Sequence, residues 1–197
     1  MNRADLHSED LAYATALGER RRDEYLLGRA AAVQVCRELG FSRSPAIGRA
    51  KSGAPLWPPG VIGSISHKHQ TAVAAAAREG ELLSVGVDIE VLGPRALRLI
   101  SRTAIEVEQS WIHEDATKAE LRALIVFSAK EAVFKAVSPR FDVFLGFHDV
   151  LLEPVGENSL LATVLSKVDV SLDVGFQMDD RHIVTGATLS RAAGQAA

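Results

Sequence analysis

The chain has 197 residues, 47% of them hydrophobic, a formal net charge of -3 and a pI near 6.1. That length is enough for one large domain or two small ones around a sizeable core, and the composition is that of a folded globular protein. The charge argues against a surface that grips nucleic acid along its whole length. The single cysteine, Cys36, excludes an internal disulfide and a cysteine-based zinc site.

The opening "MNRADLHSED" is polar and lacks the apolar centre of a signal peptide. No apolar run approaches the roughly 20 residues that a membrane-spanning helix needs. A cytoplasmic protein with no transmembrane segment is therefore expected. The segment 19–40 reads as a helix, with Leu27, Ala31, Val35 and Leu39 forming an apolar stripe and Gly40 supplying a stop. It carries Arg20, Arg21, Arg22 and Arg29 on its N-terminal half; ideal helix spacing places Arg22 with Arg29. Residues 41–60 hold four prolines and three glycines and read as a long loop with extended pieces, a kind of segment that often carries function. Arg49 and Lys51 lie in it.

Three strand patterns follow, "VIGSISH", "TAVAAAAR" and "LLSVGVDIEVL". In "GSISHKH", Ser64, Ser66, His67 and Lys68 close a strand with side chains and amides suited to phosphate. His67 and His69 alternate like a metal pair, but no third ligand accompanies them. In "GVDIE", Asp88 and Glu90 are two apart, so both point to one face with Cα atoms about 7 Å apart. Val87, Ile89 and Val91 point the other way. Paired carboxylates repel unless a cation lies between them, and hard oxygen ligands suit Mg²⁺. A solvated strand edge would present the same spacing.

After Gly93 a helical pattern restarts, and residues 115–137 form the longest one in the chain, with Pro139 expected to stop it. Within it, Ser128, Glu131 and Lys135 share a narrow polar stripe and Lys130 lies one step to its side. An exposed Glu131–Lys135 pair would account for that stripe locally. Beside Asp88 and Glu90, however, Glu131 supplies a third metal carboxylate, and Lys130 and Lys135 can meet phosphate charge. Three carboxylates with lysines imply a phosphate or pyrophosphate substrate. Four strand patterns close the chain at 147–155, 159–166, 170–178 and 182–190, and the short tail after them is expected to fray. The order of elements is α+β, in two halves (1–92 and 93–197), without the repeating rhythm of a doubly wound sheet.

"GVDIE" followed by "FSAKEAVFKA" resembles the paired signature of the 4′-phosphopantetheinyl transferases. The version here is similar to the Sfp-type class in its enterobactin-synthase branch. "RRDEYLLGRAAA", "GAPLWPPGVIGSISH" and "LGFHDV" agree in order, so the resemblance runs from about Arg21 to Val150. It implies two similar α+β halves related by a pseudo-twofold axis, and hence a monomer, with coenzyme A at their interface. It implies transfer of the phosphopantetheine arm of coenzyme A to a serine of an apo acyl or peptidyl carrier protein, with Mg²⁺ or Mn²⁺, releasing adenosine 3′,5′-bisphosphate. By the same resemblance Asp88, Glu90 and Glu131 hold the metal, and Glu131 or a water beside it deprotonates the serine. Lys135 stabilises phosphate charge. His67 meets the 3′-phosphate, and Arg21, Arg29 and Arg49 surround the nucleotide, with Ser66 and Lys130 as further contacts. Two departures stand out: Ala54 occupies a position that is basic in some relatives, and the extra acidic residue after "GVDIE" has two candidates, Glu106 and Glu108. A non-catalytic module binding coenzyme A or a carrier, or a Mg²⁺-dependent phosphodiesterase, are the alternatives.

Overall fold

The computed structural model describes residues 6–80, 82–94 and 96–191. The expected fraying of the tail, and the first five residues of the polar start, fall outside these. Two helices open the chain, α1 (Ser8–Thr15) and α2 (Glu19–Glu38). Two short strands, β1 (Gly48–Arg49) and β2 (Pro55–Leu56), pair across the proline-rich loop. Gly53 turns that loop at φ +95°, a conformation that side chains rarely tolerate. The hairpin β3 (Val61–Lys68) and β4 (Thr71–Arg78) follows, then β5 (Leu82–Val91). A 3₁₀ turn at Ala96–Leu99 leads into α3 (Ile100–Thr103), α4 (Glu106–His113) and α5 (Ala119–Phe141). The strands β6 (Val150–Gly156), β7 (Ser159–Val164), β8 (Ser171–Met178) and β9 (His182–Ser190) complete the fold.

The α+β class expected from the sequence is present. β6 to β9 form an antiparallel meander, and β5 joins its far edge through β9, giving the order β5-β9-β8-β7-β6. β8 and β9 alternate strictly, with Leu172, Val174, Phe176, Ile183, Ala187 and Leu189 inward. α5 lies across this sheet on one side and is covered by the 3₁₀ turn, α3 and α4 on the other, which is why its sequence is apolar on nearly every face. The β3–β4 hairpin packs against β5 and carries α2 on its surface.

α5 touches β5 unusually closely. A Cβ built on Gly86 would lie 1.8 Å from the carbonyl oxygen of Ala132, so only glycine permits this approach. That contact brings "GVDIE" against "FSAKEAVFKA". Two details differ from expectation. Pro139 does not stop α5; the helix runs two residues further and ends at Asp142, which is left-handed at φ 52°. A proline in the last turn removes one N–H bond there without breaking the turns before it. The buried stripe of α2 is Leu26, Arg29, Val33 and Cys36 rather than Leu27, Ala31, Val35 and Leu39. α2 is covered by α1 on one side and by the hairpin on another, and spacing alone does not choose between adjacent apolar stripes.

Candidate functional site

β5, β3 and α5 converge on Asp88. The Asp88 carboxylate is buried and accepts hydrogen bonds from Ser66 Oγ at 2.9 Å, Ser128 Oγ at 2.8 Å and Lys135 Nζ at 2.6 Å. Lys135 Nζ also donates to Ser66 Oγ and to the Val87 carbonyl. Glu90, one pleat further along β5, is paired with Lys68 Nζ at 2.5 Å. Glu131 completes the group. Burial pushes its carboxyl above the usual range, and the charges of Asp88 and Glu90 push the same way, against the pull of Lys135 and Lys68. The structure thus brings Asp88, Glu90, Glu131, Lys135 and Ser66 together.

A second set gathers beside it. Arg21, Arg29, Arg49 and His67 line one cleft of about 340 Å³, together with Tyr13, Tyr25 and Gly53. It is Arg21, not Arg22, that lines the cleft with Arg29. Arg29 is buried and fixed: its Nε donates to Asp10 at 3.2 Å, its Nη2 to the Gly48 carbonyl, and its guanidinium lies over the Tyr25 ring. Asp10 in turn accepts from Tyr25 Oη and from the Ile47 amide. β3 links the two sets, because strand alternation turns Ser66 toward Asp88 and its neighbour His67 toward the cleft.

Lys130 is not brought to this site. Its ammonium is fully buried on the other side of α5, where it donates to Glu108 Oε2 at 2.7 Å and to the carbonyls of Thr103 and Phe147. Burial lowers its proton affinity and Glu108 opposes that. Its side chain is 0% exposed and its three acceptors all belong to the protein, so no phosphate reaches it. Glu108 also accepts from the amides of Ile105 and Leu152. It, rather than Glu106, is the acidic residue of α4 that turns inward.

Several contributors escape a reading of the sequence. Thr185 Oγ1 lies 2.9 Å from Ser128 Oγ and donates to the Ser128 carbonyl, extending the Asp88 network into the sheet core. Its signal is a polar residue in the inward register of β9, between Ile183 and Ala187. Asp10 lies on α1, a short helix whose polar sequence shows little periodicity, and nothing local marks it as the anchor of Arg29.

Among the described residues, no three acidic, histidine or cysteine side chains are gathered closely enough to hold a metal ion as they stand. Lys68 and Lys135 each hold an oxygen of this cluster, Glu90 Oε2 and Asp88 Oδ1. The donor chemistry nonetheless fits a hard divalent ion, because the charges of Asp88 and Glu90 both reach the buried Glu131 carboxyl, so three oxygen donors face one region.

Comparison with known proteins points one way. A 4′-phosphopantetheinyl transferase N-terminal domain model matches residues 8–77, and a 4′-phosphopantetheinyl transferase superfamily model matches residues 84–183. Enterobactin synthase component D of Salmonella typhi is 36% identical over 70% of this chain and 59% of its own length. The Shigella flexneri protein of that name is 37% identical over 85% of this chain and 77% of its own. 4′-phosphopantetheinyl transferase Npt of Nocardia iowensis is 33% identical over 66% and 58%. The match to the first and third of these therefore spans under two thirds of their length.

Proposed function

We propose a function for this chain from the fact that it belongs to the 4′-phosphopantetheinyl transferase superfamily: it moves the phosphopantetheine arm of coenzyme A onto a serine of an apo acyl or peptidyl carrier protein. The observation that carries this is the shared strand β3, which joins a basic cleft suited to a nucleotide bisphosphate to an acidic cluster suited to a cation and a pyrophosphate.

In this scheme Arg21, Arg29, Arg49 and His67 hold the nucleotide phosphate in the cleft. Asp88, Glu90 and Glu131 are the residues that would hold Mg²⁺ or Mn²⁺, and the ion would neutralise pyrophosphate oxygens when bound. The carrier serine oxygen bonds to the β-phosphorus as the bond from that phosphorus to the bridging oxygen breaks. The electron pair leaves with adenosine 3′,5′-bisphosphate. Glu131, whose burial favours the protonated form, takes the serine proton directly or through a water. Lys135, held against Ser66 and Asp88, faces the charge that shifts onto the phosphate oxygens. Ser66 orients both partners rather than reacting.

We assign the halves 1–92 and 93–197, a monomeric state and a cytoplasmic location to the same reading. Among the described residues no helix is long and apolar enough to cross a membrane. A second reading, a module that binds coenzyme A or a carrier without transfer, leaves three converging carboxylates without a use.

The test incubates the protein with apo carrier, coenzyme A and Mg²⁺ and measures the intact mass of the carrier. A gain of one phosphopantetheine arm is expected from the wild type and not from Glu131→Gln. No gain with several carrier types overturns the proposal.

A further inference from the structure

Lys68 has no role in the scheme above, yet it makes the tightest ion pair in the acidic cluster. Its Nζ lies 2.5 Å from Glu90 Oε2, with the Glu90 side chain 13% exposed and the lysine 38%. Lys68 ends β3 and pairs with Thr71 across a two-residue turn in which His69 is left-handed at φ 53°, so the root of its side chain is fixed by the hairpin. From there its charge also reaches Glu131 and favours the ionised form of that carboxyl.

The two lysines of the cluster differ in how firmly they are held. Lys135 donates to three acceptors, Ser66, Asp88 and the Val87 carbonyl. Lys68 has one carboxylate partner and, among the described residues, no second acceptor. It is also the more exposed of the two, so water can solvate its ammonium once Glu90 is given up. The Lys68 ammonium takes one of the two Glu90 oxygens, and its positive charge there opposes that of a divalent cation approaching the same carboxylate. Metal binding at Glu90 is therefore favoured when the lysine moves off into solvent.

We propose that Lys68 is an exchangeable internal counter-ion on Glu90: it occupies the carboxylate in the resting protein, competes with the divalent cation for it, and so sets how much free metal is needed to load the site. This rests on the assignment of Asp88, Glu90 and Glu131 as metal ligands. It adds that the metal affinity of this chain is held down by one lysine at the tip of the β3–β4 hairpin. Removing that lysine frees an oxygen ligand and deletes one positive charge beside the ion, and both changes act in the same direction.

The test measures Mn²⁺ affinity directly by electron paramagnetic resonance of the free ion, on the full chain without coenzyme A. Wild type, Lys68→Met, Lys68→Gln, Lys68→Arg and Glu90→Gln are compared, with circular dichroism to confirm folding. Lys68→Met and Lys68→Gln are expected to bind Mn²⁺ on the order of tenfold more tightly than wild type, as loss of a neighbouring like charge predicts at a partly screened site. Lys68→Arg keeps the competitor and is expected to stay within about twofold of wild type, and Glu90→Gln to bind more weakly, since one ligand charge is gone. If wild type binds and the two neutral variants bind no tighter, the Lys68 proposal is overturned while the metal site stands. If no protein in the set binds Mn²⁺, the metal assignment itself falls and the Lys68 proposal with it.

Discussion

Two ammonium groups leave α5 five residues apart and meet opposite surroundings. Lys130 is paired with Glu108, both side chains 0% exposed, and every donor is matched by α3, α4 or the segment before β6. Lys135 is paired with Asp88 at 29% and 6% exposure, beside two more carboxylates and on the wall of a large open groove. The first cluster is complete in itself and can only fix the parts around it. The second gathers three carboxylates around two lysines, an imbalance that the proposed cation would offset. Charge on an oily helix therefore has two distinct settings here, and access to solvent separates them, since each lysine has three acceptors but only Lys135 is reached by water.

The sharpest way to break the comparison is to neutralise each lysine. Lys130→Met leaves Glu108 buried without its cation, which costs about 3–5 kcal/mol. Thermal unfolding should occur far below that of the wild type, with turnover falling only as folded protein is lost. Lys135→Met should lower the melting temperature by less than Lys130→Met, because this pair is partly reached by water, and reduce transfer to carrier by at least about a hundredfold, the scale of losing one charge-stabilising donor. Equal effects of the two substitutions on stability and turnover would erase the distinction between the clusters.

Gly86 tests whether the open cluster depends on contact between α5 and β5. Gly86→Ala places a methyl on the Ala132 carbonyl, a backbone atom that cannot rotate aside. Overpacking of this kind costs about 1–3 kcal/mol. Because α5 must retreat, Ser128 and Lys135 should separate from Asp88 while the Lys130 cluster, on the far side of the helix, stays closed. Denaturant unfolding and transfer assays measure the two parts; a variant with wild-type turnover would show that the close approach is dispensable.

The open cluster was also the legible one. Asp88 with Glu90, and Glu131 with Lys135, announce themselves because a strand repeats every two residues and a helix every three to four, so neighbours on a face are neighbours in sequence. Lys130 misled for the same reason. Its angular position on α5 places it near Glu131, but its partners come from α3, α4 and the segment at Phe147, and no local spacing encodes them. Arg29 behaves alike: its helix was plain, whereas its anchor Asp10 lies 19 residues away on α1. The stop at Pro139 came two residues early because the proline falls in the last turn, where the helix is already ending and little of it remains to be disrupted.

Thr185 offers a milder test of the open cluster. Thr185→Val preserves shape and removes the hydroxyl beside Ser128, a loss of about 1 kcal/mol. Ser128 then keeps Asp88 as its side-chain partner but loses the link to β9. A lower kcat with a stability loss of only about 1 kcal/mol is expected, and Thr185→Ser should restore kcat. If valine and serine behave alike, the network ends at Ser128.

The smallest effect concerns the rim rather than the centre. Asp149 accepts hydrogen bonds from the Gly146 amide, Ser166 Oγ and Lys167 Nζ, which hold its carboxyl at a pKa of about 2. Lys167 also donates to the Phe144 carbonyl, so this carboxylate ties down the segment that carries Phe144, a phenyl ring 84% exposed at the edge of the large groove beside Lys135. A carboxyl whose folded pKa is depressed stabilises the fold above its unfolded value, about 3.9, and that contribution disappears as pH falls through about 2. The Gly146 amide should accordingly lose hydrogen-exchange protection, relative to the core of α5, between about pH 4 and 2. Asp149→Asn should show the same loss of protection at neutral pH, with the Lys130 and Lys135 clusters unaffected. Protection of Gly146 that is indifferent to both pH and substitution would mean that the Phe144 segment is held by backbone packing alone.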